Sequence, residues 1–168
     1  TELRHTDGQR IHATTVDGMD ATLHKIFLFL HLASAMVWVG GMFFAYFCLR
    51  PAAGLVLEPP QRLPLWVASF RRFFRYVAVA VVVLLVSGFG MLLPVGMGNA
   101  PHGWLAMMTL GLVMTPVFIA IYAVHFPKLA HHTRSGTWPA ATTVLNRIRR
   151  LVAINLVLSV LVVAAAAS

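Results

Sequence analysis

Six side chains with nitrogen or sulfur donor atoms occur in a strongly apolar chain. We expect them to lie toward one end of a bundle of helices. They are His24, His31, His102, Met97, Met107 and Met108. His24 and His31 are seven residues apart, close to two helical turns, so both project from nearly the same face of a helix, about 10 Å apart along its axis. Imidazole and thioether groups suit soft or borderline ions, Cu(I) especially, and they also ligate haem iron. The residues therefore predict a site for a metal ion, with copper and b-type haem both open.

The two alternatives use these residues differently. A copper carrier would take the ion through His24, His102 and Met97 towards His31 and Met107. A haem could not be held by His24 and His31 together, because they are too far apart along the helix. Met107 would be the partner of His31, and His24 with His102 could hold a second haem. A third reading gives His31 only a structural hydrogen bond to a neighbouring helix, for instance to Asn155 or a serine.

The chain lacks the groups that hydrolytic and carboxylate chemistry require. Its 5 acidic residues all lie outside the apolar runs, which argues against Mg²⁺, Ca²⁺ and di-iron carboxylate sites. There is no HExxH, CxxC, Walker loop or GxSxG motif. An enzymatic role, if there is one, would be that of a haem-dependent oxidoreductase.

The elements that position the donors are membrane spans. The chain is 59% hydrophobic and 11% charged, and residues 26–49, 76–127 and 151–168 carry no charge. About 20 apolar residues cross a bilayer, and GMGNAPHG (residues 96–103) divides the long middle run. These runs predict an all-α membrane protein, a four-transmembrane-helix bundle. The expected organisation is a polar N-terminal tail at 1–22 and a membrane domain at 23–168, whose approximate spans are 24–49, 74–96, 103–126 and 146–167.

The ends and the lone cysteine allow smaller expectations. The polar start does not resemble a cleavable signal peptide, and because Thr1 is not a start methionine, the sequence leaves open whether residues upstream of it are missing. Cys48 cannot form an internal disulfide and is expected to be a buried, small apolar residue.

The net charge of +8 is a topology signal and does not indicate nucleic-acid binding. Ten of the 13 Lys and Arg residues lie in the connections between spans one and two and between spans three and four. The positive-inside rule assigns these connections to the cytoplasm. Both termini and residues 96–103 then face the periplasm, in a bacterial inner membrane whose anionic lipids contact the basic side. A periplasmic metal donor or a larger membrane complex would be a further partner.

The two halves of the chain resemble each other. Tyr46 and Pro51 recur as Tyr122 and Pro127, at an offset of 76, and RYVAV recurs as RLVAI at an offset of 75. This predicts two repeated helical hairpins related by a pseudo-twofold axis along the membrane normal. Interfacial tyrosines and helix-ending prolines also recur without any repeat.

The segments from His31 to Phe44 and from Leu49 to Ala52 (HL, VWVGGMFF and LRPA) resemble the first-helix signature of the copper resistance protein D (CopD) family. GLVMTPVFIAIYAVHFPKL and LNRIRRLVAINLVLS are similar to short, four-span bacterial members, so the resemblance covers about residues 23–165. It implies an inner-membrane protein of copper uptake or handling, with His31 functional and Trp38, Gly40 and Gly41 shaping its site. Related four-helix families, including the HemJ-type protoporphyrinogen oxidases, bind haem through helix histidines. They commonly carry a basic residue after a tryptophan early in the third span, whereas Trp104 is followed here by Leu, Ala and two methionines.

Overall fold

The computed structural model describes the backbone of residues 3–167 and the side chains of residues 21–167. Every element in it is helical. The helices are α1 (Leu3–Phe43), α2 (Arg50–Val56), α3 (Pro59–Val95), α4 (His102–Ile119), α5 (Phe126–Arg134) and α6 (Trp138–Ala166), with π-helical turns at Phe44–Leu49 and Ala120–His125. The predicted polar tail, residues 1–22, falls almost wholly outside the described side chains.

Four continuous helical segments are long and apolar enough to cross a membrane. They are Ala21–Val56, Pro59–Val95, His102–Arg134 and Trp138–Ala166, called spans 1 to 4 below. The predicted fold class, an all-α membrane protein with four transmembrane helices, is confirmed.

Helices α3 and α6 begin well before the predicted spans. The expected starts are at 74 and 146, whereas α3 begins at Pro59 and α6 at Trp138. Proline occupies the first turn of both helices, where its missing N–H leaves no unsatisfied bond. The charged turns stay helical because apolar side chains recur every three or four residues, as with the buried Leu63, Trp66 and Phe70.

The outer connection falls where the sequence predicted it. α3 ends at Val95, and Gly96 follows with a φ of 77°, a left-handed conformation that favours glycine at a helix C-terminus. The amide of Asn99 donates to the carbonyl of Gly96 at 3.2 Å, and α4 begins at His102.

The helices pair as two hairpins. The most extensive packing joins α1 to α3, and the next joins α4 to α6. These are spans 1 with 2 and 3 with 4, the pairing that two repeated hairpins require.

The two π-helical turns occupy equivalent places in the two hairpins. Phe44–Leu49 and Ala120–His125 are both six residues long and are offset by the 76 residues of the sequence repeat. In each, the residue that follows the turn donates its N–H to the carbonyl five residues earlier, Arg50 to Ala45 and Phe126 to Ile121.

Each π-helical turn is explained by the proline that follows it. Pro51 and Pro127 come directly after those two donors. Proline lacks an N–H, and its ring clashes with the carbonyl four residues before it. A π-turn widens the helix there and removes the clash. The shared irregularity supports the predicted repeat independently of hydropathy.

The core is aromatic and lies in the basic half of the bundle. Phe74 is its centre: its ring stacks on Phe70 at 4.9 Å and meets Phe118, Tyr122 and Phe126 edge-on, at centroid distances of 5.4 to 6.2 Å. Spans 2 and 3 thus pack together near the basic connections.

Cys48 is exposed, so the expectation that it is buried is wrong. It lies in the first π-helical turn, on the surface of the bundle, where lipid can cover it.

Candidate functional site

His31 is tied to span 2 by its Nδ1 atom. This nitrogen lies 3.1 Å from the carbonyl oxygen of Leu84 and 3.1 Å from Oγ of Ser87. The ring is half-buried, and both partners belong to α3. The strongest polar link of His31 therefore crosses the interface of the first hairpin.

The same network selects one tautomer of the imidazole. The Ser87 hydroxyl is 2.7 Å from the Val83 carbonyl and donates to its own helix, so its oxygen can accept from His31. The Leu84 carbonyl can only accept. With two acceptors in front of it, Nδ1 carries the hydrogen, and Nε2 keeps its lone pair. His31 is thus arranged as a ligand or acceptor through Nε2.

Two glycines of α3 allow the close approach of α1. A Cβ built on Gly88 would lie 3.2 Å from Cε1 of His31, and one on Gly90 would lie 2.7 Å from the ring of Phe27. Any larger residue at 88 would press on the imidazole. Both glycines of the segment 87–90 therefore lie in close contact with side chains of α1.

The other five predicted donor residues lie at the outer end of the bundle or on span 3. His24 and His102 are exposed, Met97 is 59% exposed, and Met107 and Met108 are half-buried. Among residues 21–167, no three His, Cys, Asp or Glu side chains come close enough to hold a metal ion. The histidines therefore form no three-ligand site, and the mixed site with methionine remains a prediction.

The expected facing of His31 and Met107 is likewise still a prediction. Both hydrogen bonds of His31 lead to α3, whereas Met107 belongs to α4. Contact between spans 1 and 3 occurs deeper, where Trp38 and Phe118 meet edge-on at 6.0 Å.

Of the three residues that the resemblance expects to shape the site of His31, two pack closely against neighbouring side chains and one does not. Trp38 is 3% exposed and belongs to the core. Gly41 packs directly on the ring of Phe73, while a Cβ on Gly40 would meet nothing within 4 Å. Trp38 and Gly41 thus fix the packing below His31, and Gly40 does not.

Ser87 is the site residue that the sequence did not single out. The alternative of a structural hydrogen bond named Asn155 or a serine, and the serine is the partner found. Asn155 is buried, and its Nδ2 donates to the carbonyl of Met114 at 3.2 Å, joining α6 to α4. The available signal was position: Ser87 lies in span 2 at the depth of His31, beside two glycines.

Comparison with known proteins gives one family. The model of the family described as copper resistance protein D (CopD) matches residues 67–168. The match includes Ser87, Gly88, Met107 and Met108. It begins after span 1 and therefore does not include His31. No curated protein and no solved structure matches the chain significantly.

Proposed function

Because the chain belongs to the copper resistance protein D (CopD) family, we propose that it handles copper in the membrane through a Cu(I) site in which Nε2 of His31 is a ligand. Family membership supports copper resistance or handling by a multi-pass membrane protein. The metal site and its residues are our proposal.

The hydrogen-bonded state of His31 carries the proposal. A metal-binding histidine almost always donates its second ring N–H to a carbonyl, a carboxylate or water, which fixes the tautomer and raises the basicity of the ligand nitrogen. The Leu84 carbonyl and Ser87 hydroxyl, each 3.1 Å from Nδ1, supply that arrangement. Intramembrane ionisable residues are costly and generally serve a function.

Sulfur supplies the remaining ligands. Since no group of three His, Cys, Asp or Glu side chains exists within residues 21–167, a tetrahedral zinc-type site does not fit the described residues. Thioethers select Cu(I). Met107 and Met108 on α4 are half-buried, and so is Met91, one helical turn from Ser87 on the same side of α3.

The outer residues form the entry. His24, Met97 and His102 are exposed, at the end of the bundle that carries the outer connection. By the positive-inside rule this end faces the periplasm of a bacterial inner membrane. Copper delivered by a periplasmic donor would bind there first and pass inward to His31, as uptake requires.

The b-type haem alternative uses the same nitrogen, because an imidazole with a free Nε2 is also an axial ligand of haem iron. It would make the protein an electron-transfer protein or a haem-dependent oxidase. Absorbance separates the two: haem gives a Soret band after expression with ample haem, and a copper protein without haem does not.

A Cu(I) competition titration tests the copper site. Purified protein in mild detergent is titrated against a chromophoric Cu(I) chelator, as wild type and as His31→Ala. Removing a ligand is expected to weaken binding on the order of 100-fold or more, since outer-shell changes alone cost about 10–100-fold. His125→Ala is the matched control. His125 is also half-buried, but it lies toward the basic end of span 3, away from Met107 and Met108. Equal Cu(I) affinities of the wild type and His31→Ala would overturn the proposal.

A further inference from the structure

Three arginines from three different helices converge on one cleft at the basic end of the bundle. The cleft has a volume of about 490 Å³, and its lining includes Arg50 of α2, Arg62 of α3 and Arg149 of α6. Arg149 is 87 residues from Arg62 and 99 residues from Arg50 in the sequence, so only the fold brings it to the other two.

Arg149 is fixed in place but incompletely paired. Its guanidinium lies over the ring of Trp66, with Cζ 5.3 Å from the centroid, and one terminal nitrogen donates to Oδ1 of Asn146 at 3.2 Å. Its Nε is buried and has no hydrogen-bond partner among the described residues. A buried charged donor without a partner is destabilising.

The guanidinium group of Arg50 is also held against a neighbouring ring, and that of Arg62 lies near Gly54. Cζ of Arg50 lies 5.0 Å from the ring centroid of Tyr46. A Cβ built on Gly54 would be 4.0 Å from a terminal nitrogen of Arg62. The cation–π contacts orient the guanidinium groups of Arg50 and Arg149 before any ligand arrives.

Among residues 21–167, little acidic charge is available to neutralise these arginines. Glu58 is the one acidic residue within 21–167, and it is exposed. The charges of Arg50 and Arg62 both act on Arg149 and repel it. An anion among the three would replace this repulsion by attraction.

We propose that this cleft, called the arginine cleft, binds one phosphate group. Arginine recognises phosphate with paired, charge-assisted hydrogen bonds. The arginine cleft lies at the end of the spans, at the level of the headgroups, where an anionic phospholipid offers such a group. A soluble phosphate offers the same chemistry from the aqueous side. The inference is independent of the copper site, which lies in the outer half of the bundle.

The neighbouring arginines of α6 provide matched controls. Arg147 and Arg150 are exposed and do not line the cleft, although they lie on the same helix and at the same depth as Arg149. If the basic end attracted anions only by its overall charge, all three would matter equally.

Ligand-dependent thermal stability tests the site. Purified protein in a neutral detergent is unfolded in the presence of phosphatidylglycerol, phosphatidylcholine or inorganic phosphate, since a ligand bound only to the folded state raises the unfolding temperature. The variants are Arg149→Gln, Arg62→Gln, Arg147→Gln and Arg150→Gln. Arg149→Gln and Arg62→Gln lie on different helices, so a folding defect in one leaves the other to decide.

We expect phosphatidylglycerol or phosphate to stabilise the wild type more than phosphatidylcholine does. Arg149→Gln and Arg62→Gln should weaken the apparent affinity about tenfold or more, as loss of a charged hydrogen bond predicts, and the two controls should change it less than about threefold. A response to phosphate alone assigns a soluble ligand, and a response to phosphatidylglycerol alone assigns a lipid. No anion-specific stabilisation, or equal losses in Arg149→Gln and Arg147→Gln, would overturn the site.

Discussion

Nδ1 of His31 lies 3.1 Å from Oγ of Ser87 and joins the first two spans through polar side chains. The buried polar residues of this outer half are small: Ser34, Ser87 and Ser159. The basic half instead buries large side chains such as Trp66 and Phe74. Tight packing in one half gives a rigid base, and the other half holds small polar groups in its interior.

Replacing Ser87 by alanine should weaken copper binding without removing a ligand. His31 would retain the Leu84 carbonyl but lose the hydroxyl, so Cu(I) affinity is expected to fall about tenfold and unfolding stability by about 1 kcal/mol. Ser159→Ala is the control, since that buried hydroxyl bonds its own helix at Leu156. Competition titration and thermal unfolding measure both effects, and equal Cu(I) affinities for the two variants would contradict the assigned role of Ser87.

Alanine at position 88 should displace the imidazole. The added Cβ would lie 3.2 Å from Cε1 of His31, so the ring must shift by a few tenths of an ångström. Gly111→Ala is the matched change, because its Cβ would meet nothing within 4 Å and the helix gains up to about 1 kcal/mol from alanine. Gly88→Ala should therefore unfold at a lower temperature than Gly111→Ala and bind Cu(I) more weakly. The steric account fails if the two variants behave alike.

Hydropathy and charge predicted the fold because the bilayer sets span length and orientation. The same signals misplaced two helix starts, since Pro59 and Trp138 precede amphipathic turns that hydropathy excludes. A serine was among the expected partners of His31, but which serine it is was not predicted. A contact between Nδ1 and Ser87 depends on the rotation and register of two packed helices, which the interhelical contacts decide and span boundaries do not.

For the two prolines of the repeat, the sequence shows where they lie but not how they change the helix before them. The offset between Pro51 and Pro127 is visible in the sequence. That both follow a π-helical turn is a local response of the backbone to the missing N–H, and it appears only in the structure.

Truncation of Phe74 should be the most destabilising change in the core. Its ring contacts five other aromatic residues, and it is 2% exposed. Phe74→Ala is expected to cost about 2 kcal/mol, less than the ~3–5 kcal/mol of soluble proteins, because packing is lost while lipid or detergent is as apolar as the core. Phe47→Ala, at a ring that is 54% exposed, should cost well under about 1 kcal/mol. Denaturation in mixed micelles measures the unfolding stability of both variants. Similar losses of stability in Phe74→Ala and Phe47→Ala would contradict the central place of Phe74 in the core.

The direction of copper movement depends on which end of the bundle faces the periplasm. Met97, in the outer connection, and Ser135, between α5 and α6, are exposed at opposite ends. Because Cys48 is the one cysteine and is exposed, Cys48→Ser gives a background in which Met97→Cys and Ser135→Cys can each be labelled alone. The positive-inside rule predicts that a membrane-impermeant maleimide modifies Met97→Cys in intact cells and Ser135→Cys only after the inner membrane is opened. The reverse pattern would place His24 and His102 in the cytoplasm, and a site filled from that side would serve export instead of uptake.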